Sequence, residues 1–256
     1  MKWRFIYSGF NTGKFNMDFD LELAKTVSAN ETIVRFYRWE PYCISLGANQ
    51  DISSLKISDA ENDNIDIVKR PTGGRAILHA EEITYSVVTH INSDTSAREI
   101  YHSINLALIE GLKLYDLNLS ETELETVQPN FQKFYKEDVS ALCFAVPAKS
   151  ELKFKGKKLA GSAQRKLGSS LLQHGSLLCG SYHKNIIKYL NLPEESIDNI
   201  SKDLESNTID LSEILSTNID YDHLVSNLID GFINHFKVDD CEFDSSINNF
   251  RNLSLT

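Results

Sequence analysis

Long apolar runs are missing from this 256-residue sequence: no stretch approaches the roughly 18 uninterrupted apolar residues that a membrane-spanning helix needs. The opening MKWRFIYSGF holds no apolar segment long enough for a secretory signal, so a cytoplasmic location is expected. Cysteine pairing is missing too. Cys43, Cys143, Cys179 and Cys241 lie far apart with no C-x-x-C pair, which in a chain of this length excludes a disulfide framework or a zinc site and leaves four reduced thiols. There is no internal repeat, no low-complexity linker and no proline-rich boundary. The dinucleotide glycine fingerprint, the Walker loop, the G-x-S-x-G elbow and metal-spaced histidines are all absent, which removes the chemistries those motifs serve. Positive charge is in deficit, 26 Lys and Arg against 36 Asp and Glu, and the net −10 speaks against nucleic-acid binding.

What is present is an ordinary globular composition, 41% hydrophobic and 24% charged. The periodicity predicts strands over Trp3–Tyr7, Thr32–Trp39, Ile44–Leu46, Ile65–Val68 and Ile83–Thr89. A helix stripe follows Phe15, Phe19, Leu23 and Val27. A longer helix opens at Ser96, with Glu99 completing a capping box and Ile100, Ile104, Leu108 and Leu112 on its apolar face. Leu152 and Phe154 alternate with lysines, Gly156-Lys157 turns the chain, and Lys158–Gln164 is expected back as the partner strand of that hairpin. A strand over Leu171–Cys179 is followed from about residue 184 by helices, the clearest over Tyr221–Phe236. The expected architecture is one α+β domain spanning 1–256 with a helical C-terminal layer.

Three segments hold more than packing residues. The first is Lys69-Arg70-Pro71-Thr72-Gly73-Gly74-Arg75-Ala76-Ile77-Leu78-His79, where a glycine pair admits close backbone approach and two arginines can meet an anion or carbonyl. On spacing alone it reads as a strand-to-strand turn. The second is Leu142-Cys143-Phe144-Ala145-Val146-Pro147, whose thiol is an inert core group unless a positive charge or base activates it, and Lys158 is the candidate. The third joins Lys158 to the small run Ala160-Gly161-Ser162-Ala163 and Gln164, followed by Gln173-His174-Gly175-Ser176. Such a strand lets a thin acyl chain lie flat, and equally suits a tightly packed sheet centre. Between Lys149 and Lys166 seven basic residues face the single acid Glu151, which reads either as a solvated hairpin or as a docking patch for an acidic partner.

Together, in this order, these segments resemble the catalytic domain shared by lipoate and biotin protein ligases and octanoyltransferases. The glycine segment is similar to an R-R-x-T-G-G-R-A-x-L-H signature, with Lys69 in place of the first arginine, and Gly156–Ala163 is similar to G-[KR]-K-[LIV]-x-G-S-A. The extension His79–Val88 resembles the cysteine-type octanoyltransferases more than the ATP-using ligases. Phe36–Pro41 and Ser45–Gln50 look like the family's early strand pair. The chain departs from that branch after the cysteine, where Ala148 and Ser150 replace a serine and a tyrosine.

The resemblance implies a fold of mixed, mainly antiparallel sheets packed with helices, and ping-pong acyl transfer. Cys143 would be the nucleophile, with Lys158 activating it or polarising the acyl carbonyl. Arg70, Gly73, Gly74, Arg75, His79, Gly161, Ser162, Ala163, Gln164, His174 and Gly175 would bind substrate, and no metal is expected. Acyl carrier protein would donate octanoyl, and a lipoyl-domain protein, such as the glycine cleavage H protein or a 2-oxoacid dehydrogenase E2, would accept it on lysine. The enzyme is expected to be a monomer and to need no cofactor; ATP and magnesium enter only if it is a lipoate–protein ligase. Two further alternatives are an amidotransferase moving octanoyl between lipoyl domains and a non-catalytic lipoyl-domain binder.

Overall fold

The computed structural model describes residues 1–92, 95–126 and 150–243. Strand β1 (Lys2–Asn11) leads through α1 (Gly13–Thr26) to β2 (Glu31–Trp39), and the two strands run parallel with Trp3 opposite Thr32 and Tyr7 opposite Phe36. A parallel return requires a crossover, and α1 supplies it. The helix starts where the Thr12 hydroxyl accepts the Phe15 N–H.

The face α1 buries differs from the expected apolar stripe. Asn16, Met17, Asp20, Leu23 and Ala24 point inward, while Phe15 is exposed. The reason lies on β2, where Arg35 is fully buried and needs the polar groups of Asn16 and Asp20.

Next come β3 (Cys43–Leu46), α2 (Ile57–Asn62), β4 (Asp66–Lys69) and β5 (Ile77–His79), which form a three-stranded sheet in the order β4-β3-β5. Strand β6 (Glu82–His90) pairs antiparallel with β2. Helix α3 (Ala97–Tyr115) has its expected cap, the Ser96 hydroxyl accepting the Glu99 N–H, and buries Ile104, Leu108 and Leu112.

The expected long hairpin is short. Strand β7 (Thr122–Leu124) pairs with β8 (Leu152–Phe154), and β8 pairs with a two-residue β9 (Lys157–Lys158). Leu159 and Ala160 are drawn into the main core, so the chain leaves the hairpin there and continues as β10 (Ala160–Leu167) beside β11 (Ser170–Leu178). After a 3-10 segment over Ser181–Tyr189 come α4 (Glu194–Asn207), α5 (Leu211–Leu215), α6 (Tyr221–Phe236) and β12 (Cys241–Phe243). Strand β12, which the sequence pattern did not signal, lies parallel to β1.

The main sheet has the order β10-β11-β6-β2-β1-β12. One face buries Tyr85, Val87 and Leu177 under α3 and α6; the other buries Ile33, Val88 and Leu172 under α1. Each Leu, Ile or Phe so buried contributes about 1.5–3 kcal/mol relative to exposure, which fixes the register on both faces. No helix among the described residues is long and apolar enough to cross a membrane.

Candidate active site

A narrow cleft opens between the α1 face of the main sheet, the small sheet and β10. Met17, Tyr37, Trp39 and Ile77 give it apolar walls; Gly161, Ser162, Ala163 and Gly175 give it a flat side; Ser45, Arg70, His79, Thr84, His174 and Ser176 complete it. Three polar groupings surround this space.

The first is built on Trp39, whose ring stacks on His79 with centroids 4.1 Å apart and planes 15° apart. His79 Nδ1 lies 2.8 Å from Glu82 Oε1, and its Nε2 lies 2.7 Å from the Ser45 hydroxyl. The Trp39 indole N–H donates to Thr84, whose hydroxyl donates in turn to Glu82. Burial disfavours charge on Glu82, but His79, Thr84 and Ser176 outweigh it and hold the carboxyl below its usual range.

The second centres on Asp20, which accepts from Arg35 (2.8 Å), Tyr37 OH (2.9 Å) and Ser86 (2.8 Å). Its Oδ2 also lies 3.6 Å from His174 Nδ1. Burial opposes the Asp20 charge; His174, Arg35 and Ser86 overcome it, so its pKa is lowered. His174 presents Nε2 to Thr72 at 2.5 Å, and burial pushes its pKa below the ordinary imidazole value despite Asp20.

The third joins Lys158 and Glu151, 2.8 Å apart and 1% and 2% exposed. Glu151 accepts the Ser162 N–H at 3.1 Å, and the Ser162 hydroxyl lies 2.6 Å from Tyr85 OH. Burial raises the Tyr85 pKa to about 12, keeping the phenol protonated and able to donate.

These contacts place the residues singled out in the sequence. His79, Gly161, Ser162, Ala163, His174 and Gly175 all line the cleft. A Cβ on Gly175 would lie 2.6 Å from Gly161 O and 2.8 Å from Tyr85, so only glycine lets β10 and β6 close in here. Lys158 is not part of the lining and reaches the cleft through Glu151 and Ser162. Arg70 lines the cleft, but its guanidinium donates to Gly73 O, Arg75 O, Ser45 O and the Ser45 hydroxyl, so it braces the glycine loop.

Gly73 and Gly74 sit exposed on that loop and Arg75 is half-buried; none of the three lines the cleft. Gly74 O approaches Gly47 so closely that a Cβ on Gly47 would lie 2.0 Å from it. Gln164 points to the opposite face, donating to Ala97 O and Gln173. Cys143 and the segment Leu142–Pro147 lie outside the described residues.

The basic hairpin is not an open positive patch. Lys153 lies within 4 Å of Glu123 and Glu125, Lys155 of Glu121, Lys157 of Glu213 and Lys158 of Glu151. Apart from Glu151, these acids lie in or beside β7 and in α5, distant in sequence, which is why the local run looked unbalanced. Among the described residues no group of three or more His, Cys, Asp or Glu could hold a metal ion.

Sequence reasoning missed Asp20, Trp39, Thr84, Glu82 and Thr72 as site residues. A signal for the first two existed: Arg35, Tyr37 and Trp39 alternate on one face of β2, and an arginine inside such a run demands a buried acid.

Comparison with known proteins agrees with this architecture. A bipartite lipoate protein ligase from Thermoplasma acidophilum, described with its E2 lipoyl domain, superposes with a TM-score of 0.73 at 18% identity, covering 99% of this chain and 92% of that one. A lipoate-protein ligase A bound with ATP gives 0.73 at 17% identity, covering 99% and 94%. At those identities the likeness is one of fold. In sequence, octanoyltransferase LipM of Brevibacillus brevis is 30% identical over 245 residues, covering 93% of this chain and 88% of its own length. LipM of Staphylococcus aureus is 35% identical over 182 residues, covering 69% and 65%. The family model for the lipoyl protein ligase A/B catalytic domain matches residues 12–233, and the chain belongs to that family.

Proposed function

We propose that this protein is an octanoyltransferase of lipoate biosynthesis, moving octanoyl from the thioester of an acyl carrier protein to a lysine of a lipoyl-domain protein through a thioester on Cys143. The observation that carries this reading is the 30% identity to LipM octanoyltransferases over nine-tenths of the chain. The cleft supports it, having Met17, Tyr37, Trp39 and Ile77 in its walls and a flat side along Gly161–Ala163 on which a thin acyl chain can lie.

The described cysteines are poor candidates for the nucleophile. Burial pushes the thiols of Cys43 and Cys179 well up, and the reacting species must be a thiolate. Cys241 pairs with Trp3, which pairs with Thr32, five residues before Tyr37 on β2, so about 16 Å of strand separates it from the cleft wall. Cys143 remains.

In the first step the Cys143 thiolate adds to the thioester carbonyl, the carrier's thiolate leaves, and it takes up a proton. In the second, the neutral lysine amine adds to the acyl-enzyme carbonyl, the Cys143 thiolate is expelled, and the amine proton passes to solvent. Thioester exchange is near neutral and amide formation is downhill, so neither step needs ATP. Lys158, buried beside Glu151, is the group we assign to stabilising the developing negative charge.

The test is intact mass spectrometry of the protein mixed with octanoyl carrier protein without ATP, beside Cys143→Ser. A single octanoyl adduct removed by hydroxylamine, and absent from the variant, is expected. No adduct on the wild type, with labelling of an acceptor domain only when ATP and free octanoate are supplied, would make this a ligase instead.

A further inference from the structure

With the β8–β9 lysines matched by carboxylates, the cationic side chains beside the cleft lie elsewhere. Strand β10 is the terminal strand of the main sheet, and its Gly161, Ser162 and Ala163 line the cleft. The next residues along the same strand are Gln164, Arg165 and Lys166, so Arg165 and Lys166 stand about 7–10 Å beyond the cleft wall. Both are exposed. The register puts Arg165 opposite Leu172, on the cleft face, where it donates to Pro71 O in the glycine loop. Lys166, opposite Leu171, projects to the other face, towards α3. Gln164 donates to Ala97 O, which brings the exposed Arg98 in the first turn of α3 to that same side.

None of Arg98, Arg165 and Lys166 has a carboxylate within 4 Å among the described residues. Glu99 follows Arg98 in its turn, so the patch counts a net +2 in a protein of net −10.

We infer that this surface, Arg98, Arg165 and Lys166 flanking the outer edge of β10, docks the acidic carrier protein that delivers the acyl thioester. The inference rests on the transferase reading above. Charge decides between the two macromolecular substrates. The donor's arm is joined to its protein by a phosphodiester, so a negative group must stand at the rim while the acyl chain occupies the cleft. The acceptor instead presents a lysine ammonium, which a cationic rim repels. Locally concentrated positive charge on an acidic protein serves to orient one partner and speed its encounter, since wrong orientations bring like charges together.

The test compares Arg165→Glu/Lys166→Glu with wild type and with Lys153→Glu/Lys155→Glu. Binding of unacylated carrier protein is measured by titration, which needs no chemistry. Acyl-enzyme formation is measured from octanoyl carrier protein and from a neutral small-molecule octanoyl thioester. The rim variant should lose about ten-fold or more in carrier affinity and acylation rate at low salt, the loss shrinking at high salt, with the small thioester unaffected. The hairpin variant should lose less.

Carrier binding unchanged at low salt would overturn the inference, as would an equal loss with the small thioester, since that places the residues in the fold or the chemistry. A loss confined to transfer from preformed acyl-enzyme to the lipoyl domain would also overturn it by assigning the surface to the acceptor. If wild type takes no acyl group from either thioester, the transferase reading fails, and the binding titration still decides whether the surface holds the carrier.

Discussion

Replacing Arg35 by methionine tests whether the buried network under the cleft is held by charge. Arg35 and Asp20 are both fully buried and 2.8 Å apart. Arg35 also donates to the Ser8 hydroxyl and to the main-chain and side-chain oxygens of Asn16. Methionine fills much of the volume but leaves the Asp20 carboxylate in a dry site with only Tyr37, Ser86 and the more distant His174 to meet it. Breaking a buried pair from one side costs about 3–5 kcal/mol, because the remaining charge is uncompensated.

Equilibrium urea unfolding at neutral pH should show a midpoint lower by about 1–5 M for a slope of about 1–3 kcal/mol/M. Asp20→Asn/Arg35→Met should recover a large part of the loss, since no lone charge then remains. The pH dependence has a definite sign. The folded Asp20 pKa is lowered, so the stability it lends the wild type is present above the ordinary carboxylate pKa and is lost as pH falls through the folded value. Acidification also relieves the variant's lone carboxylate, so the gap between the two proteins should narrow at low pH. A variant within about 1 kcal/mol of wild type, or a double variant as unstable as the sum of the singles, would refute the argument.

Three further experiments probe the cleft and the ion pair behind it. Trp39→Ala removes the ring stacked on His79, should cost about 3–5 kcal/mol of stability, and should let dodecanoyl thioester compete with octanoyl in a mixed-substrate acylation assay; an unchanged chain-length profile would show that Trp39 does not limit the chain. Glu151→Gln leaves Lys158 buried and without its carboxylate, so thermal unfolding should fall by several degrees. Adding Lys158→Met should restore stability while acyl transfer stays absent; restored transfer would remove Lys158 from the chemistry. Gly175→Ala forces a methyl against Gly161 O, so octanoyl uptake should drop about ten-fold or more with a stability loss of about 1–3 kcal/mol; near-wild-type uptake would mean β10 does not need that closeness.

The parts of this molecule legible in its sequence are those written by neighbours in the chain. The capping box at Ser96 and Glu99, the helix Tyr221–Phe236 and the strand Glu31–Trp39 each need only a local pattern, and each forms where that pattern lies. The small-residue run Gly161–Ala163, which the sequence left open between a flat ligand wall and a tight sheet centre, lines the cleft. The pattern misled where a residue answers to a distant partner. Helix α1 turns Asp20 and Asn16 inward for Arg35 on the next strand, so its hydrophobic stripe, of which Phe19, Leu23 and Val27 do pack inward, showed only part of the buried face. Lys153, Lys155 and Lys157 looked like surplus charge because their acids sit at 121–125 and 213. Strand β12 is three residues long and gains its place from the edge of β1 and from Phe243 stacking on Phe5.

The position of β10 at the end of the main sheet has a further consequence, for self-association. An outermost strand offers a row of backbone donors and acceptors to any extended segment that passes, including the same strand of another molecule. Most proteins blunt such an edge by laying a helix or loop across it. An edge strand that walls a cleft and must leave it open to a macromolecular substrate has less freedom to be covered. Charged side chains at the strand's end are the remedy left, because two copies approaching edge to edge would bring Arg165 and Lys166 against their counterparts. Among the described residues no strand pairs with the outer edge of β10, and there the two residues guard the sheet against its own copies while admitting a partner of opposite charge.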